Sequence, residues 1–306
     1  MRTLEFRAMG CHMLAVLDRD DEAAEAQLAE VPAWFEEWEQ QMSRFRPSSD
    51  LMRLNAAGHA EQVPEALLKV VRVALQSARE SAGLVRPTVL DALTAAGYDR
   101  SFDQLPAEGA GSSAAAAPAP DWRGVTLDLP GRSITLPAGV HLDLGGVAKG
   151  WAADQAARRL AAHGPALIDA GGDIAVSGPM ANGAAWPIAI ANPLAPDDTL
   201  GNLLLARGAV ATSGRDFRRW QRGGTEQHHI IDPRTGRPAR TDVLAATVIA
   251  PDGPSAEVAA KVALMLGSGA GLAWLDARPT LAGLLVLDDG TLVRSRRMDV
   301  YLEMNS

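Results

Sequence analysis

The sequence predicts an α+β protein whose sheets are largely antiparallel and are flanked by helices. Apolar residues repeat at helical spacing in some segments and at alternate positions in others. Several strand segments follow one another through short turns, and strand and helix do not alternate regularly along the chain. We therefore expect mixed, mainly antiparallel sheets instead of a doubly wound parallel sheet.

The first third of the chain predicts a pair of strands and two helices. Residues 3–18 alternate as a strand that is interrupted at Met9-Gly10. Residues 21–42 predict one helix, because their large apolar residues recur three or four positions apart and form a single stripe. The stripe consists of Leu28, Val31, Phe35, Trp38 and Met42. A short turn is expected to end at Leu54-Asn55, and a second helix is expected after Val63, where Pro64 suits the first helical position.

The rest of the chain predicts a hairpin, a helix and further strands. Residues 122–143 alternate around a Pro130-Gly131 turn, which is typical of a hairpin. A helix that contains Lys149 is expected to end at Gly164. Strands are expected at 166–169, 174–177, 186–191, 202–206, 243–249 and 281–287, with helices at about 255–267 and 269–277 between the last two.

Composition and charge exclude several classes of function. The chain has 306 residues, is 47% hydrophobic and carries a net charge of −8, so we expect no nucleic-acid partner. Cys11 is the single cysteine, which excludes an internal disulfide and a cysteine-based metal cluster. No window approaches the roughly 18 consecutive apolar residues of a membrane span. Glu5 and Arg7 interrupt the N-terminal segment, so we expect no signal peptide and a cytoplasmic protein.

The chain is expected to fold as a single domain over residues 1–306. This domain would consist of two interlocked halves, approximately 1–105 and 122–306. Between them, residues 106–121 are low in complexity and rich in Ala, Pro, Gly and Ser. We expect this segment to form a flexible surface loop, and no function is assigned to it.

The segment from Asp143 to Asp154 combines a carboxylate, a glycine turn and the start of a helix. Gly145 and Gly146 lack a Cβ, so a ligand's backbone or phosphate can approach the turn closely. The helix that follows presents unpaired N–H groups, and Lys149 lies in its first turn. This arrangement suits a phosphorylated ligand, although a strand-to-helix junction built only for packing would look similar.

Four other segments carry candidate chemistry, each with a structural alternative. Gly171-Gly172-Asp173 follows a strand and permits close approach of a ligand, or else forms a tight β-turn. Thr212-Ser213-Gly214 offers two hydroxyls for phosphate contact, or else caps a loop. The pair His228-His229 offers an imidazole suited to general base catalysis, or else is structural. Glu257 and Lys261 share one helical face, where a surface ion pair is the simpler reading.

Taken together and in this order, these segments resemble the ApbE family of FAD:protein FMN transferases. The likeness spans roughly residues 5–290. The matching blocks are Met9-Gly10, Met42-Ser43-Arg44-Phe45, Ser49-Asp50 through Leu54-Asn55, Pro87-Thr88-Val89, Asp143–Asp154, Gly171-Gly172-Asp173, Thr212-Ser213-Gly214 and His229–Gly236.

The resemblance implies the T-fold-like architecture of ApbE flavin transferases. It also implies an enzyme that cleaves the pyrophosphate of FAD, joins FMN to a Ser or Thr of an acceptor flavoprotein and releases AMP. FAD and an acceptor flavoprotein are therefore the expected partners, and Mg²⁺ is the metal that the family uses.

Carried over by position, the resemblance also implies roles for individual residues. His229 would take the proton from the acceptor hydroxyl, and the carbonyl of Gly146 would be a metal ligand. The residues implied to contact FAD are Met9, Phe45, Val85, Arg86, Pro87, Thr88, Asp143, Lys149, Gly172, Asp173, Ser213 and Ile230.

The chain departs from the family pattern at the metal site. Where the family has an Asp and, four residues on, a Thr as Mg²⁺ ligands, this chain has Glu257 and Lys261. Glutamate can still reach a hard cation, whereas a charged lysine cannot ligate one. Arg86 likewise replaces the family's usual acidic residue.

These departures leave the use of Mg²⁺ open. We expect Lys261, together with Arg86, to take the metal's place against the phosphates of FAD. Metal-dependent hydrolysis of FAD to FMN and AMP is a weaker alternative, and two functions fit these residues better. One is an active flavin transferase, and the other is an FAD-binding carrier, sensor or partner subunit without transferase activity.

Overall fold

A computed structural model of the chain describes residues 1–106, 108–109 and 116–303. It confirms the predicted α+β class, with helices flanking largely antiparallel sheets. The helices are α1 (Glu22–Ala29), α2 (Val31–Met42), α3 (Asp50–Ala57), α4 (Glu65–Glu80), α5 (Leu90–Ala95), α6 (Ala148–Leu160) and α7 (Gly253–Asp276). Short 3₁₀ helices span Phe102–Gln104, Trp122–Gly124 and Met298–Val300.

The strands are short, and most of them pair with a neighbour in sequence. The first nine are β1 (Arg2–Ala8), β2 (Cys11–Leu17), β3 (His59–Ala60), β4 (Glu108–Gly109), β5 (Thr126–Asp128), β6 (Ser133–Thr135), β7 (Ala166–Ala170), β8 (Asp173–Val176) and β9 (Trp186–Ala191). The others are β10 (Thr199–Leu205), β11 (Gly208–Gly214), β12 (Arg219–Arg222), β13 (Thr225–His228), β14 (Ile231–Asp232), β15 (Arg237–Pro238), β16 (Val243–Ala250), β17 (Ala282–Leu287) and β18 (Leu292–Arg294).

Contacts within the chain define two compact units, each built from separate stretches of sequence. Unit 1 comprises Met1–Phe35, Lys149–Phe217 and Thr241–Ser306. Unit 2 comprises Glu36–Ala148 and Arg218–Arg240. The expectation of a single domain made of two interlocked halves stays a prediction.

Unit 1 is organised around one antiparallel sheet. Its strand order is β1-β2-β7-β8-β11-β16-β17-β18. Every pairing along this order is antiparallel, from β1 with β2 to β17 with β18. The predicted interruption at Met9-Gly10 is confirmed as the turn between β1 and β2. Both residues have positive φ, 48° and 68°, which suits the right-handed twist of a two-residue hairpin.

The core of unit 1 lies between this sheet and the hairpin of β9 and β10. Trp186, Ile188 and Leu203 of the hairpin join Val210 and Ile249 of the sheet in one buried cluster. Helix α7 packs against β11, β16 and β17, and α1 packs against β1 and β2. Strand β9 therefore buries alternate residues, whereas the central strands β11, β16 and β17 are buried at nearly every position.

Unit 2 combines helices α3 to α5 with three small sheets. The sheets have the orders β3-β6-β5, β13-β12-β4 and β14-β15. The predicted hairpin around Pro130-Gly131 is confirmed as β5 and β6. Leu93 and Tyr98 pack with Trp220 and Ile231 in a second buried cluster. This cluster brings the two sequence stretches of the unit into contact.

The single helix predicted over residues 21–42 is wrong in one respect, because the structure divides it into α1 and α2. Pro32 explains the break, since it has no N–H to donate to the preceding turn and is favoured near the start of a helix. The stripe itself is correct: Leu28, Phe35 and Trp38 are all fully buried.

Helix α3 replaces the short turn expected before Asn55. Its start is encoded by Ser49, whose hydroxyl accepts a hydrogen bond from the N–H of Met52, and its end by Gly58 in the left-handed conformation. The two late helices predicted at 255–267 and 269–277 correspond to α7. Gly267 interrupts α7 with non-helical backbone angles, at φ 81° and ψ 170°.

Helix α7 is long and apolar enough to cross a membrane, judged by length and composition within the described residues. Half of its most apolar stretch is buried inside the protein. The core helix of a soluble protein has the same properties, so α7 is weak evidence for a membrane span. The expectation of no span stays a prediction.

The segment predicted as a flexible loop, 106–121, is only partly described. Residues 107 and 110–115 lie outside the described part of the chain. The end of the segment is held by hydrogen bonds: Ala119 N–H donates to the carbonyl of Pro233, and Pro120 C=O accepts from the hydroxyl of Thr88. Residues 119–120 therefore belong to the body of unit 2.

Candidate functional site

Asp143 is the centre of a hydrogen-bonded cluster in unit 2. Its backbone N–H donates to the carbonyl of Pro87 at 2.8 Å. One carboxylate oxygen accepts from the N–H of Gly145 at 2.9 Å, and the other accepts from Nε of Arg44 at 3.0 Å. Asp143 thus links three parts of unit 2: its backbone N–H holds the 85–88 segment, and its carboxylate holds the glycine turn and a buried cation.

Asn55 fixes the backbone that leads into Asp143. Its side-chain oxygen accepts from the N–H of Leu142 at 2.7 Å, and its amide nitrogen donates to the carbonyl of the same residue at 2.9 Å. Because both backbone groups of one buried residue are satisfied by one side chain, the segment that leads into Asp143 cannot shift without breaking two bonds. The Asn55 block therefore serves the site by holding Asp143 in place.

An aromatic group lies beside this cluster in unit 2. The guanidinium carbon of Arg44 lies 4.1 Å from the ring centroid of Phe45 and 4.3 Å from that of Tyr98. Tyr98 in turn packs against Trp220, with ring centroids 5.4 Å apart. Phe45 is the exposed member of the group. An exposed ring backed by a cation is suited to stacking on a planar ligand.

The 85–88 segment is anchored to unit 2 by its own side chains. Arg86 donates from Nε to the carbonyl of Gly83 and from Nη1 to that of Ala119. Burial lowers the pKa of Arg86, and the carboxylates of Asp121 and Asp232 only partly oppose this effect. The predicted role of Arg86 against a phosphate stays a prediction, although two of its donors already have partners.

The two neighbouring histidines, His228 and His229, differ in how deeply they are buried. His228 is buried; its Nε2 lies 3.0 Å from the carbonyl of Ala239, and its Nδ1 accepts from the N–H of Ile230. His229 is half-buried, between the end of β13 and the start of β14. The histidine that sequence reasoning selected as the base is thus the one that retains access to solvent.

A second cluster of charges lies in unit 1, at the start of α6. Lys149 forms an ion pair with the buried carboxylate of Asp173. Burial disfavours the ammonium, but the carboxylates of Asp173 and Glu257 outweigh it and raise the pKa of Lys149. Burial also disfavours the charged form of Asp173 and thereby raises its pKa, although the ammonium group of Lys149 opposes that effect. The structure therefore brings together two predicted ligand contacts, Lys149 and Asp173, as a partner pair.

Glu257 and Lys261 form the second half of the unit 1 cluster. Lys261 Nζ lies 3.0 Å from one carboxylate oxygen of Glu257, and the other oxygen accepts from the N–H of Gly150 at 3.0 Å. Glu257 is 1% exposed and Lys261 16% exposed. The ion pair considered from the sequence is therefore present, but its expected surface position is wrong, because Glu257 is buried and Lys261 is half-buried. The carboxylate of Glu257 therefore accepts a hydrogen bond from an N–H in the first turn of α6.

The residues around Glu257 do not fit a divalent cation. Both carboxylate oxygens are engaged, one by an ammonium group and one by a backbone N–H. A cation at this point would face the charge of Lys261 at ion-pair distance. Within the described residues, His, Cys, Asp and Glu side chains form no group of three that could hold a metal.

The glycine pair Gly171-Gly172 is a tight turn, as its structural alternative predicts. Both glycines have positive φ, 68° and 91°, in the hairpin of β7 and β8. A Cβ on Gly171 would lie 2.7 Å from the Cβ of Cys11, whereas Gly172 has open space. Gly171 is thus required for packing. The ligand contact assigned to Gly172 stays a prediction.

The hydroxyls of Thr212 and Ser213 lie within strand β11, so the loop-capping alternative is wrong. Thr212 Oγ1 lies 2.9 Å from Oγ1 of Thr247 on the neighbouring strand. Ser213 is buried and pairs with Ala246. The roles assigned to Met9, Val85, Thr88, Gly146, Ser213 and Ile230 stay predictions.

Arg44 is the residue that sequence reasoning missed. It lies inside a block that carries the resemblance, but no role followed from its position alone. The sequence offered one indication: Arg44 lies between the apolar helix stripe that ends at Met42 and the aromatic residue Phe45. Such an arginine needs a carboxylate partner if it is buried.

Comparison with known proteins places this chain in a protein family. The model of the ApbE family matches residues 9–285, and the chain belongs to this family. The resemblance stated from the sequence is therefore confirmed.

Two relatives carry the same functional name. The FAD:protein FMN transferase of Treponema pallidum (strain Nichols) is 30% identical over 298 residues, which cover 91% of this chain and 82% of the relative. The FAD:protein FMN transferase of Vibrio cholerae is 29% identical over 272 residues, covering 85% and 80%.

Solved structures agree with the architecture. The crystal structure of the ApbE protein from Thermotoga maritima superposes with a TM-score of 0.87 at 25% identity and covers 99% of both chains. The flavin transferase ApbE from Vibrio cholerae superposes with a TM-score of 0.76 at 23% identity and covers 98% of this chain and 99% of its own. The second likeness shows the fold alone.

Proposed function

We propose that this protein is an FAD:protein FMN transferase that acts on a Ser or Thr of an acceptor flavoprotein. The observation that carries this proposal is the family match across residues 9–285, which includes the Asp143 cluster and the His229 block. The geometry of unit 2 supports it, because an exposed aromatic ring lies beside a cluster whose carboxylate is held rigidly. We also propose that the protein acts in the cytoplasm, on a soluble acceptor.

The reaction needs positioning and one proton acceptor more than it needs covalent help from the protein. The acceptor's hydroxyl oxygen forms a bond to the phosphorus of the FMN half of FAD. The bond from that phosphorus to the bridging oxygen breaks, and AMP leaves with the oxygen. His229 takes the proton from the attacking hydroxyl, since an imidazole titrates near neutral pH and this one is accessible to solvent.

We further propose that the protein binds FAD without Mg²⁺. The support is the contact between Lys261 and Glu257, which places an ammonium group where a divalent cation would need two free carboxylate oxygens. Lys149 adds a second buried ammonium in the same unit. Each of the two ammonium groups is held by its own carboxylate, Glu257 for Lys261 and Asp173 for Lys149, so both stay charged in the absence of a metal ion.

A second function has support from the same residues. Lys261 contacts Glu257 at the position of the family's metal ligands, so transfer would be lost there while the Asp143 cluster in unit 2 stays intact for FAD binding. The protein would then be an FAD carrier, sensor or partner subunit. The two functions differ in one product, which is the FMN–peptide bond.

The transfer test uses FAD, Mg²⁺ and a degenerate peptide library in which each member has a single Ser or Thr. The transferase proposal expects peptides that gain the mass of FMN, with release of AMP in equal amount. His229→Ala should lower the transfer rate by about 10²–10⁴-fold and leave the Kd of FAD unchanged. The exposed His59 provides a control, and His59→Ala should transfer at the wild-type rate.

Two outcomes would exclude the transferase. FAD binding without labelled peptide supports the carrier function and contradicts the transferase. AMP release without labelled peptide indicates hydrolysis of FAD. Isothermal titration with FAD in EDTA tests the metal proposal separately, and a heat signal that appears only with Mg²⁺ would refute it.

A further inference from the structure

A pocket with two arginines lies in unit 2, at the end of helix α4. Its volume is about 340 Å³, which is near the lower end of the range for small-molecule sites. The arginines are Arg79 of α4 and Arg123 of the short 3₁₀ helix, and both residues are exposed. The other lining residues are Ala78, Ala82 and Trp122. None of these five residues is among those implied to contact FAD.

Trp122 holds the two arginines close to one point. Its side chain is buried in unit 2. The guanidinium carbon of Arg123 lies 4.8 Å from the centroid of the indole ring, and that of Arg79 lies 5.8 Å from it. A cation–π contact keeps each guanidinium group near the ring without using its N–H donors. Both arginines therefore keep donors available at the pocket.

Neither arginine is strongly neutralised within the described residues. Arg79 makes no ion pair with any of them, and the neighbouring Glu80 accepts from the side chain of Gln76 instead. Arg123 pairs with Asp121 at 3.1 Å, but both side chains are exposed. Water screens such a pair, so an incoming anion can compete for Arg123.

Arg86 adds a third positive charge beside the pocket. A Cβ on Gly83 would lie 3.5 Å from Nε1 of Trp122 and 3.9 Å from the guanidinium carbon of Arg86, so both groups lie next to the same glycine. Burial lowers the pKa of Arg86, and the charge of Arg123 lowers it further, although the carboxylate of Asp121 opposes both effects. A bound anion would relieve this repulsion between arginines.

The carbonyl groups at the end of α4 are already paired. The carbonyl of Ala78 accepts from the N–H of Gly83 at 2.7 Å, and that of Arg79 accepts from the N–H of Ala82 at 3.1 Å. This is a Schellman motif, in which Ala82 takes the left-handed position, at φ 51°, that usually belongs to glycine. The arginines therefore supply the unpaired polar groups of the pocket.

We propose that this pocket binds a small dianion that carries a phosphate group. Two guanidinium groups match the charge of a phosphate near neutral pH, and its oxygens point in several directions, so one phosphate can accept from both arginines. A carboxylate has one charge and two coplanar oxygens and should bind more weakly. Free phosphate and a small phosphate monoester share this chemistry. The inference does not depend on the proposed function.

The indole N–H signal of Trp122 in a nuclear magnetic resonance spectrum reports on the pocket itself. The chain has seven tryptophans, and the signal that disappears in Trp122→Phe identifies the one in question. Titration of the wild-type protein with inorganic phosphate at constant ionic strength should shift this signal. Acetate at the same ionic strength should shift it less.

Two variants test the arginines, and a third serves as their control. Arg79→Gln and Arg123→Gln should each raise the Kd of phosphate by about 10-fold or more, as expected when a hydrogen bond to a charged group is lost. Arg72 is an exposed residue of the same helix that does not line the pocket. Arg72→Gln removes the same charge and should leave the Kd unchanged.

Glycerol phosphate, titrated in the same way, distinguishes the two sources of the phosphate group. Tighter binding than that of inorganic phosphate assigns the pocket to a phosphate monoester, and equal or weaker binding assigns it to free phosphate. An unmoved Trp122 signal with both probes would overturn the inference. A Kd that is the same in the wild type, Arg79→Gln and Arg123→Gln would also overturn it. Neither result bears on the flavin transferase proposal, which uses none of the pocket residues.

Discussion

The buried pair of Lys261 and Glu257 makes a quantitative prediction about stability. Lys261→Met removes the ammonium and leaves a carboxylate that is 1% exposed. Breaking a buried ion pair by removing one partner costs about 3–5 kcal/mol. Glu257 keeps its bond from the N–H of Gly150, and Lys261 is partly exposed, so we expect a loss near 3 kcal/mol, at the lower end.

Two variants complete the experiment. Lys261→Met combined with Glu257→Gln removes both charges but keeps an oxygen for Gly150, so it should recover most of the lost stability. Lys69 pairs with Glu65 at the same helical spacing but on the surface. Lys69→Met should therefore have no measurable effect, because exposed pairs are screened by water.

The assay is urea unfolding at pH 7 with EDTA, followed by tryptophan fluorescence and circular dichroism. The free energy of unfolding should fall in Lys261→Met and return in the double variant. Equal effects of Lys261→Met and Lys69→Met would refute the reasoning, because the unit 1 pair would then behave as a surface pair.

Three further predictions concern the neighbouring residues. Asn55→Ala should destabilise the protein by about 2 kcal/mol or more in urea and weaken FAD binding, because both backbone groups of Leu142 lose their partner. Gly171→Ala should destabilise more than Gly172→Ala: both have positive φ, but only the first Cβ would clash, and equal losses would contradict this packing argument. Burial opposes the charge of Lys149, but its carboxylate neighbours raise its pKa above 10.5, so its contribution is complete below pH 10.5 and is lost progressively as the pH rises from there through the raised pKa. The stability difference between wild type and Lys149→Gln should therefore shrink at alkaline pH, and a constant difference would contradict the raised pKa.

Local structure was predictable from the sequence where short-range chemistry decides it. The interruption at Met9-Gly10 follows from a glycine, which tolerates positive φ, and the hairpin at Pro130-Gly131 from alternation around a turn. The break between α1 and α2 was predictable in principle from Pro32. The apolar stripe continues across it, and that continuity favoured a single helix.

The site clusters were less predictable because they join distant segments. The bond from Gly150 to Glu257 links residues that are 107 positions apart, and no pattern near either residue signals it. The partnership of Arg44 with Asp143 is of the same kind. Spacing showed that Glu257 and Lys261 share a helical face, but only tertiary packing determines that this face is buried.

Transfer of FMN in the absence of free metal tests the central claim most directly. Wild-type protein, FAD and the single-Ser/Thr peptide library are incubated in EDTA or in Mg²⁺, and labelled peptides are counted by intact mass. If Lys261 takes the place of the metal ion, the amount of labelled peptide should be the same in EDTA as in Mg²⁺. Labelling that appears only with Mg²⁺, or bound FAD with no labelled peptide in either condition, would contradict it.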